Sequence, residues 1–273
     1  MEERSTVQAT VEGAGQEAVA EDLLNILEPL RAKLVLAQAG ASYMTGLVGN
    51  ISIPAYSGSQ VTWEGEVADA KDGAGTFTEV KLEPKRLTAY IDLSKQFLIQ
   101  DSVSAEEMLK RDIVNAIANK LEATILGAEA GSATKPAGML NGVSADSSAI
   151  TYEGIVAMET ALEEANVRGD IKFIVSPSAK AALKTTKIDA GSGKFAMEGN
   201  EVNGYPVLCT SAVNGKGVIY GNFNDLVIGQ WGGIDLTVDP YTQAANGKVR
   251  LVINAYFDAK PRRAEAFVKK VLA

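Results

Sequence analysis

Side chains that could do chemistry are few in this chain, and their spacing does not bring them together. There is no histidine, which removes the commonest general base, the Ser-His and Cys-His nucleophile pairs and imidazole metal ligands together. Cys209 is the only cysteine, so neither an internal disulfide nor a thiolate zinc site can form. Its setting, Tyr205-Pro-Val-Leu-Cys209, is apolar and strand-like. A buried core thiol is the expectation; a reactive thiolate, which needs a neighbouring cation, is the alternative. Gly191-Ser-Gly193 and Asn200-Glu-Val-Asn-Gly204 have the small residues of a phosphate loop. They lack its Lys-Ser/Thr pair and its strand–loop–helix setting. Glu106-Glu107 and Glu163-Glu164 are adjacent carboxylates, and neighbours on a helix diverge, so they read as solvated surface. No D-x-D-x-D calcium loop is present. The sequence announces no catalytic residue, no cofactor and no metal.

Composition narrows the remaining classes. The 273 residues are 46% hydrophobic, enough for one large core or two moderate ones, but only 6% aromatic, so aliphatic side chains and alanine must supply most of the burial. A net charge of −8 argues against a protein that grips nucleic acid through its phosphates. No apolar run approaches the roughly 20 residues needed to span a bilayer. Secretory-signal patterning is absent from the N-terminus, and the expectation is a soluble chain without a membrane partner.

The elements that must position these residues follow from periodicity. Residues 1–20 are rich in Glu, Ala, Gly and Ser without a period and read as an arm. Leu23, Leu24, Ile26, Leu27, Leu30 and Leu34 recur at helical spacing up to Gly40, and Gly49 opens a short extended segment, Gly49-Asn-Ile-Ser-Ile-Pro-Ala-Tyr56. A hairpin is expected next, with Gln60–Val67 as one limb, a glycine-rich tip at Asp69–Gly75, and a returning limb through Val80, Leu82, Leu87, Ala89, Ile91 and Leu93. A two-stranded ribbon is marginal alone in water. It must rest either on something outside its own domain or on the parent sheet.

The capping box Ser104-Ala-Glu-Glu107 then starts a helix. Its stripe is Leu109, Ile113, Ile117, Leu121 and Ile125, with Val114 widening the face and Gly127 ending it. About 24 residues at 1.5 Å rise make it roughly 36 Å long. Thr151–Gly169 reads as a second helix through Ile155, Met158 and Leu162, Lys172–Val175 as a strand, and Ser176-Pro177 as the cap and first residue of a third helix. Lys187–Gly199 reads as a glycine-rich loop. Strands are expected at Tyr205–Cys209, Gly217–Tyr220, Leu226–Gly229, from Ile234, and at Val249–Phe257. A basic tail follows with Lys260, Arg262, Arg263, Lys269 and Lys270. It either touches phosphates or meets an acidic arm of another subunit, since residues 1–30 hold seven acidic groups against Arg4 alone.

Taken in order, several of these segments carry a family likeness. Ile26–Gly40, then Gly49-Asn-Ile-Ser-Ile-Pro54, then Trp63-Glu-Gly-Glu66, resemble the opening of tailed-phage major capsid proteins of the Hong Kong 97-type fold. Phe77–Asp101 resembles that family's returning limb and the approach to its spine helix. Thr134–Gly142, Lys172–Pro177 and Gly204-Tyr-Pro-Val207 resemble its later link, its strand–helix passage and its G-x-P-V strand. The likeness covers about 22–268; each motif is weak alone, and their order and spacing are specific.

The resemblance implies an α+β fold: an N-terminal arm (1–30), a peripheral domain (31–136) carrying an extended hairpin arm (55–86) and the spine helix (104–127), an inserted axial domain (137–232), and a return to the peripheral domain (233–273). It further implies hexamers and pentamers that build an icosahedral head, with each arm lying across the adjacent subunit. Trp63, Phe77, Glu79 and Lys248 are the candidate inter-subunit contacts. Some members join a lysine on the hairpin limb to an asparagine in the peripheral domain. Glu79 matches the first position and the second falls near Lys248, so that covalent chemistry is not expected here. The two side chains form either an ion pair between subunits or two exposed charges. No long scaffolding region is evident, which implies removal by a maturation protease or a separately supplied scaffold. The partners implied are other copies of this chain, a portal, possible decoration proteins, and packaged DNA enclosed without sequence-specific binding. The location implied is the virion, and the bacterial host cytoplasm during assembly. An encapsulin-like compartment shell is the alternative within the fold, and a two-lobed soluble enzyme the alternative outside it.

Overall fold

Apolar residues at period two build two sheets, and the 3.6-period stripe of one long helix joins the core that links them. The computed structural model describes residues 34–272 apart from 57–58, 60, 65, 68, 97–103, 147–150, 190 and 192, and leaves the side chains of Tyr56 and of 104–110 undescribed. The N-terminal arm, most of the first expected helix and the capping-box side chains lie outside the described residues.

A four-stranded sheet has the order β1 (Ser42–Leu47), β11 (Leu226–Asp239), β12 (Lys248–Pro261) and β4 (Lys85–Ser94). β1 runs parallel to β11 and the other pairs are antiparallel. Ile253, Ala255, Phe257 and Ala259 alternate along β12 onto one buried face. There they share a core with Ile113, Val114, Ile117, Leu121 and Ile125 of the spine helix α2 (Ser104–Ile125). From Ile113 onward that stripe is the one the spacing predicts; Leu109 lies among the undescribed side chains. A short helix α1 (Val35–Ala39) precedes β1 and ends at Gly40.

The second sheet orders seven strands: β5 (Ala145–Asp146), β13 (Phe267–Leu272), β10 (Gly217–Asn222), β6 (Ile171–Val175), β9 (Tyr205–Cys209), β8 (Glu201–Val202) and β7 (Met197–Glu198). Every residue of central β10 is buried. The scarce aromatics concentrate here. Phe173 stacks on Tyr220 at 4.2 Å between ring centroids, with Tyr205 edge-on at 5.3 Å. Burial pushes the Tyr220 hydroxyl pKa far up. Helix α3 (Tyr152–Glu164) is capped by the Thr151 side chain, which accepts from the Gly154 amide, and it buries Ile155, Met158 and Leu162. Helix α4 (Pro177–Thr185) has Pro177 in its first turn and Ser176 accepting from the Ala179 amide, the cap its sequence announces.

Five expectations are corrected. The hairpin ladder pairs β2 (Ile51–Tyr56) with β3 (Phe77–Leu82), so its first limb is the Gly49–Tyr56 segment and not Gln60–Val67. The returning limb divides at Pro84, because β4 leaves the ribbon and joins the four-stranded sheet. Proline offers no amide to a ladder, and the Glu83 amide donates instead to the Asp258 carboxylate at 3.1 Å.

The strands expected from Leu226 and from Ile234 are one, β11. It is continuous through a register shift between Trp231 and Asp235, where Gly232 takes φ +63° in a bulge that admits glycine without strain. The 232/233 division therefore falls inside a strand. The basic tail is not a tail: Lys269 and Lys270 lie in β13, paired with β10, and Lys270 binds Asp146 at 2.7 Å. Cys209 is exposed, because it is the last residue of β9, past the point where Val207 turns into the core.

Asn200–Gly204 proves to be a turn. Asn203 (φ +49°) and Gly204 (φ +85°) link β8 to β9, the two-residue hairpin loop that Asn-Gly favours.

Candidate inter-subunit surface

The ribbon β2–β3 is fastened at one end and bare at the other. Its register runs from Ile51 opposite Leu82 to Tyr56 opposite Phe77. At the fastened end Leu82 is buried with Val227 and Trp231, and Met44, Leu47, Ile51 and Ile53 pack around them. The Trp231 indole donates to the Gly49 carbonyl at 2.6 Å. Val227 and Trp231 alternate with Leu226 and Ile228, which belong to the spine-helix core. The ribbon is thus rooted on the face of the sheet opposite the spine helix.

Polar groups complete the root. The Lys85 ammonium meets Asp258 at 3.0 Å with side-chain exposures of 9% and 0%. Asp258 also accepts from the amides of Glu83 and Ala259. Lys260 donates to the Lys81 carbonyl at 2.6 Å.

Beyond the root, several of the described apolar side chains lie in solvent. Trp63, Val61 and Val67 are essentially fully exposed, and Phe77 is 78% exposed. These four exposed apolar side chains, on the arm and its loop, are candidates for contact with a neighbour. Glu79 sits opposite Pro54 and pairs with Lys81 of its own strand at 3.4 Å, both side chains exposed. Lys248 lies at the far end of β12, opposite Ser94, whereas Phe257 near the ribbon root is opposite Lys85. Nine residues at about 3.3 Å each put Lys248 about 30 Å along that strand. Within one chain Glu79 and Lys248 are not brought together. Trp63 and Phe77 share the bare arm.

The distal end of the sheet is held by Arg250, whose guanidinium makes two bonds to Asp92 at 2.7 and 2.8 Å and lies over the Tyr90 ring at 4.3 Å. Those bonds hold the Asp92 carboxyl below its usual range. Tyr90, Val238 and Tyr241 are exposed around this end.

Glu122 is a residue the sequence gives no reason to single out. It is buried on the spine helix and accepts from the Leu36 amide at 3.2 Å, capping α1, whose own N-cap Leu34 has no side-chain oxygen. Desolvation pushes its pKa up, opposed by hydrogen bonds from the amides of Leu36 and Val35 and from Thr210. A carboxyl raised above its unfolded value of 4.5 holds its proton more tightly in the folded chain. Its contribution is full below that value and is lost as pH rises through the folded pKa. Glu122→Gln keeps an acceptor for the Leu36 amide and removes the titration. The melting temperature of the parent should therefore fall relative to Glu122→Gln as pH climbs from 4 to 7. Parallel melting profiles across that range would contradict this assignment.

A long spine helix, two sheets on one core and a projecting two-stranded arm define the chain as one of the Hong Kong 97-type capsid fold. Residues 20–271 match the Phage capsid family, and the chain belongs to it. The major capsid protein of Halomonas phage phiHAP-1 is 29% identical over 246 residues, covering 88% of this chain and 41% of the relative. That of Klebsiella oxytoca phage phiKO2 is 24% identical over 248 residues, covering 82% and 58%. The chain thus spans about half the length of these relatives. Among solved structures, the capsid of a native GTA particle superposes with a TM-score of 0.72 at 18% identity, covering 87% of this chain and 90% of that one. Mycobacterium phage Adephagia gives 0.67 at 14% identity, covering 88% and 89%. At these identities the structures speak for the fold.

Proposed function

We propose that this chain is the repeating structural subunit of a tailed double-stranded DNA phage or prophage head, assembling through hexamers and pentamers into an icosahedral shell around the genome. The observation that carries this reading is the arm, rooted by a buried ion pair and bare along its projecting length. A chain that folds alone gains nothing from exposing Val61, Trp63 and Val67, whereas a closed shell buries such patches on neighbours and multiplies each contact by symmetry. The work is mechanical enclosure, not catalysis. A net charge of −8 suits a wall that must hold DNA without binding its phosphates tightly. A portal, a scaffold or maturation protease, and decoration proteins are the partners such a head requires or accepts. Assembly in the bacterial cytoplasm and residence in the virion follow from the same reading. The two curated relatives are phage proteins, which favours a head over an encapsulin-like compartment.

Negative-stain microscopy of the purified protein should reveal closed particles or capsomers. A protein that stays a single folded molecule in light scattering at every concentration and ionic strength overturns the reading. Glu79 and Lys248 are proposed to meet across subunits as a solvated pair worth about 0–1 kcal/mol. Shells boiled in denaturant should then run as a single monomer band, and a ladder of linked subunits would contradict this.

A further inference from the structure

The outer edge of the seven-stranded sheet is thinly held. β7 and β8 are two residues each, and Glu198 stands directly opposite Glu201 in their ladder, a like-charge pair that works against the pairing. On its other side Glu201 is opposite Pro206, which has no amide to give. A cavity of about 230 Å³ undercuts the hairpin, with Ile188, Lys194, Phe195 and Glu198 in its wall. Met197 and Val202 are nevertheless buried in the core, so the hairpin is seated from elsewhere.

Three polar contacts seat it. The Asn200 carbonyl accepts from the Val207 amide at 2.8 Å, and the Asn200 side chain accepts from Lys180 of α4 at 3.0 Å. Asn203, in the β8–β9 turn, donates to the Glu159 carboxyl at 2.8 Å and accepts from the Tyr152 hydroxyl at 3.3 Å. Only this last tether ends on a half-buried acid. Among the described residues no cation pairs with Glu159. Desolvation pushes its pKa up, the Asn203 bond opposes the rise, and the Glu163 carboxylate one turn along α3 adds to it. Tyr205 and Tyr220, whose hydroxyls share a hydrogen bond, are the titratable groups of β9 and β10 on this side. The charged groups beside the hairpin itself are Lys180, Lys194, Glu198 and Glu201.

We propose that the β7–β8 hairpin is a pH-responsive flap, held down through Asn203 while Glu159 is protonated and loosened once Glu159 is charged. A carboxyl raised above its ordinary value of 4.5 supports the seated form fully below that value, and the support is lost as pH rises through the folded pKa. Protonated Glu159 keeps a carbonyl oxygen for the Asn203 amide. Charged Glu159 demands water that the seated turn partly excludes. Lifting the flap uncovers Ala196, Met197 and Val202, so pH sets how much apolar surface this lobe exposes. The device belongs to the single folded chain and stands without the shell-subunit reading.

Amide hydrogen exchange on dilute, unassembled full-length protein at pH 5 and pH 8, corrected for intrinsic rates, reads such local opening. Protection of residues 197–202 is expected to fall at least fivefold between the two, with that of β10 unchanged. In Glu159→Gln the fall should shrink below twofold, protection staying high at pH 8. Asn203→Gly keeps a residue suited to the turn's φ of +49° and removes the tether, so it should be poorly protected at both. A parent change under twofold, a fall in Glu159→Gln within twofold of the parent's, or Asn203→Gly protected as the parent is, each overturns the flap. None of these outcomes bears on whether copies assemble.

Discussion

Asp258→Ala is expected to destabilise the unassembled chain by about 3–5 kcal/mol, the cost of leaving a buried charge without its partner. Asp258 is fully buried and the Lys85 side chain nearly so, so water replaces the lost carboxylate poorly. The Glu83 amide loses its acceptor at the same time, and an unsatisfied buried donor adds its own penalty. At about 2–4 °C per kcal/mol for a domain of this order of size, the melting temperature should fall by roughly 10 °C. Removing both charges, as Lys85→Met with Asp258→Asn, takes away the uncompensated ion while keeping an acceptor for the amides. Most of the loss should be recovered, because a buried pair contributes little net stability over neutral groups of similar shape. Thermal and urea melts of the three variants decide it. A loss under about 1 kcal/mol for Asp258→Ala would mean that solvent reaches the pair and that the arm's root is looser than its geometry implies.

Parts of this site were legible in the sequence, and the division has physical causes. The spine-helix stripe, the buried face of α3 and the Ser176-Pro177 start of α4 depend on local spacing and capping, and they stand where periodicity puts them. Trp63 and Phe77 were legible as arm residues because the ribbon around them has no local core. The ribbon's true first limb was not. Pro54 weakens a strand reading, yet β2 belongs to a two-stranded ribbon, where a proline is tolerated on an outer edge.

The Lys85–Asp258 pair was illegible for another reason. The two residues are 173 positions apart, and only the register of β4 against β12 brings them together. Glu122 looks like any other helix-surface carboxylate until α1 arrives across it. Cys209 shows the converse failure. Its apolar neighbours predict burial, but Cys209 ends β9 beyond the part of that strand the core covers. Periodicity reports which face of an element is apolar. It does not report where that element stops or what lies across from it.

Trp63→Ala should abolish or severely weaken assembly while leaving the folded chain untouched. In the single chain the indole is fully exposed, so its loss removes no intramolecular contact, and exposed positions change stability by at most about 0.5 kcal/mol. In a shell the same side chain is the largest apolar group on the arm. Tryptophan is enriched among the few interface residues whose truncation costs about 2 kcal/mol or more. Two kcal/mol is roughly a 30-fold change in a single contact's dissociation constant, and every subunit of a ring repeats it. The threshold concentration for assembly, read by light scattering and microscopy, should rise by at least that factor. Trp63→Phe, which keeps an aromatic on the arm, should recover part of it. Trp63→Ala shells forming at the parent's threshold with the parent's melting temperature would remove the arm from the inter-subunit contact. The burial that completes this fold would then have to come from the other exposed cluster, Tyr90, Val238 and Tyr241 at the distal end of the sheet.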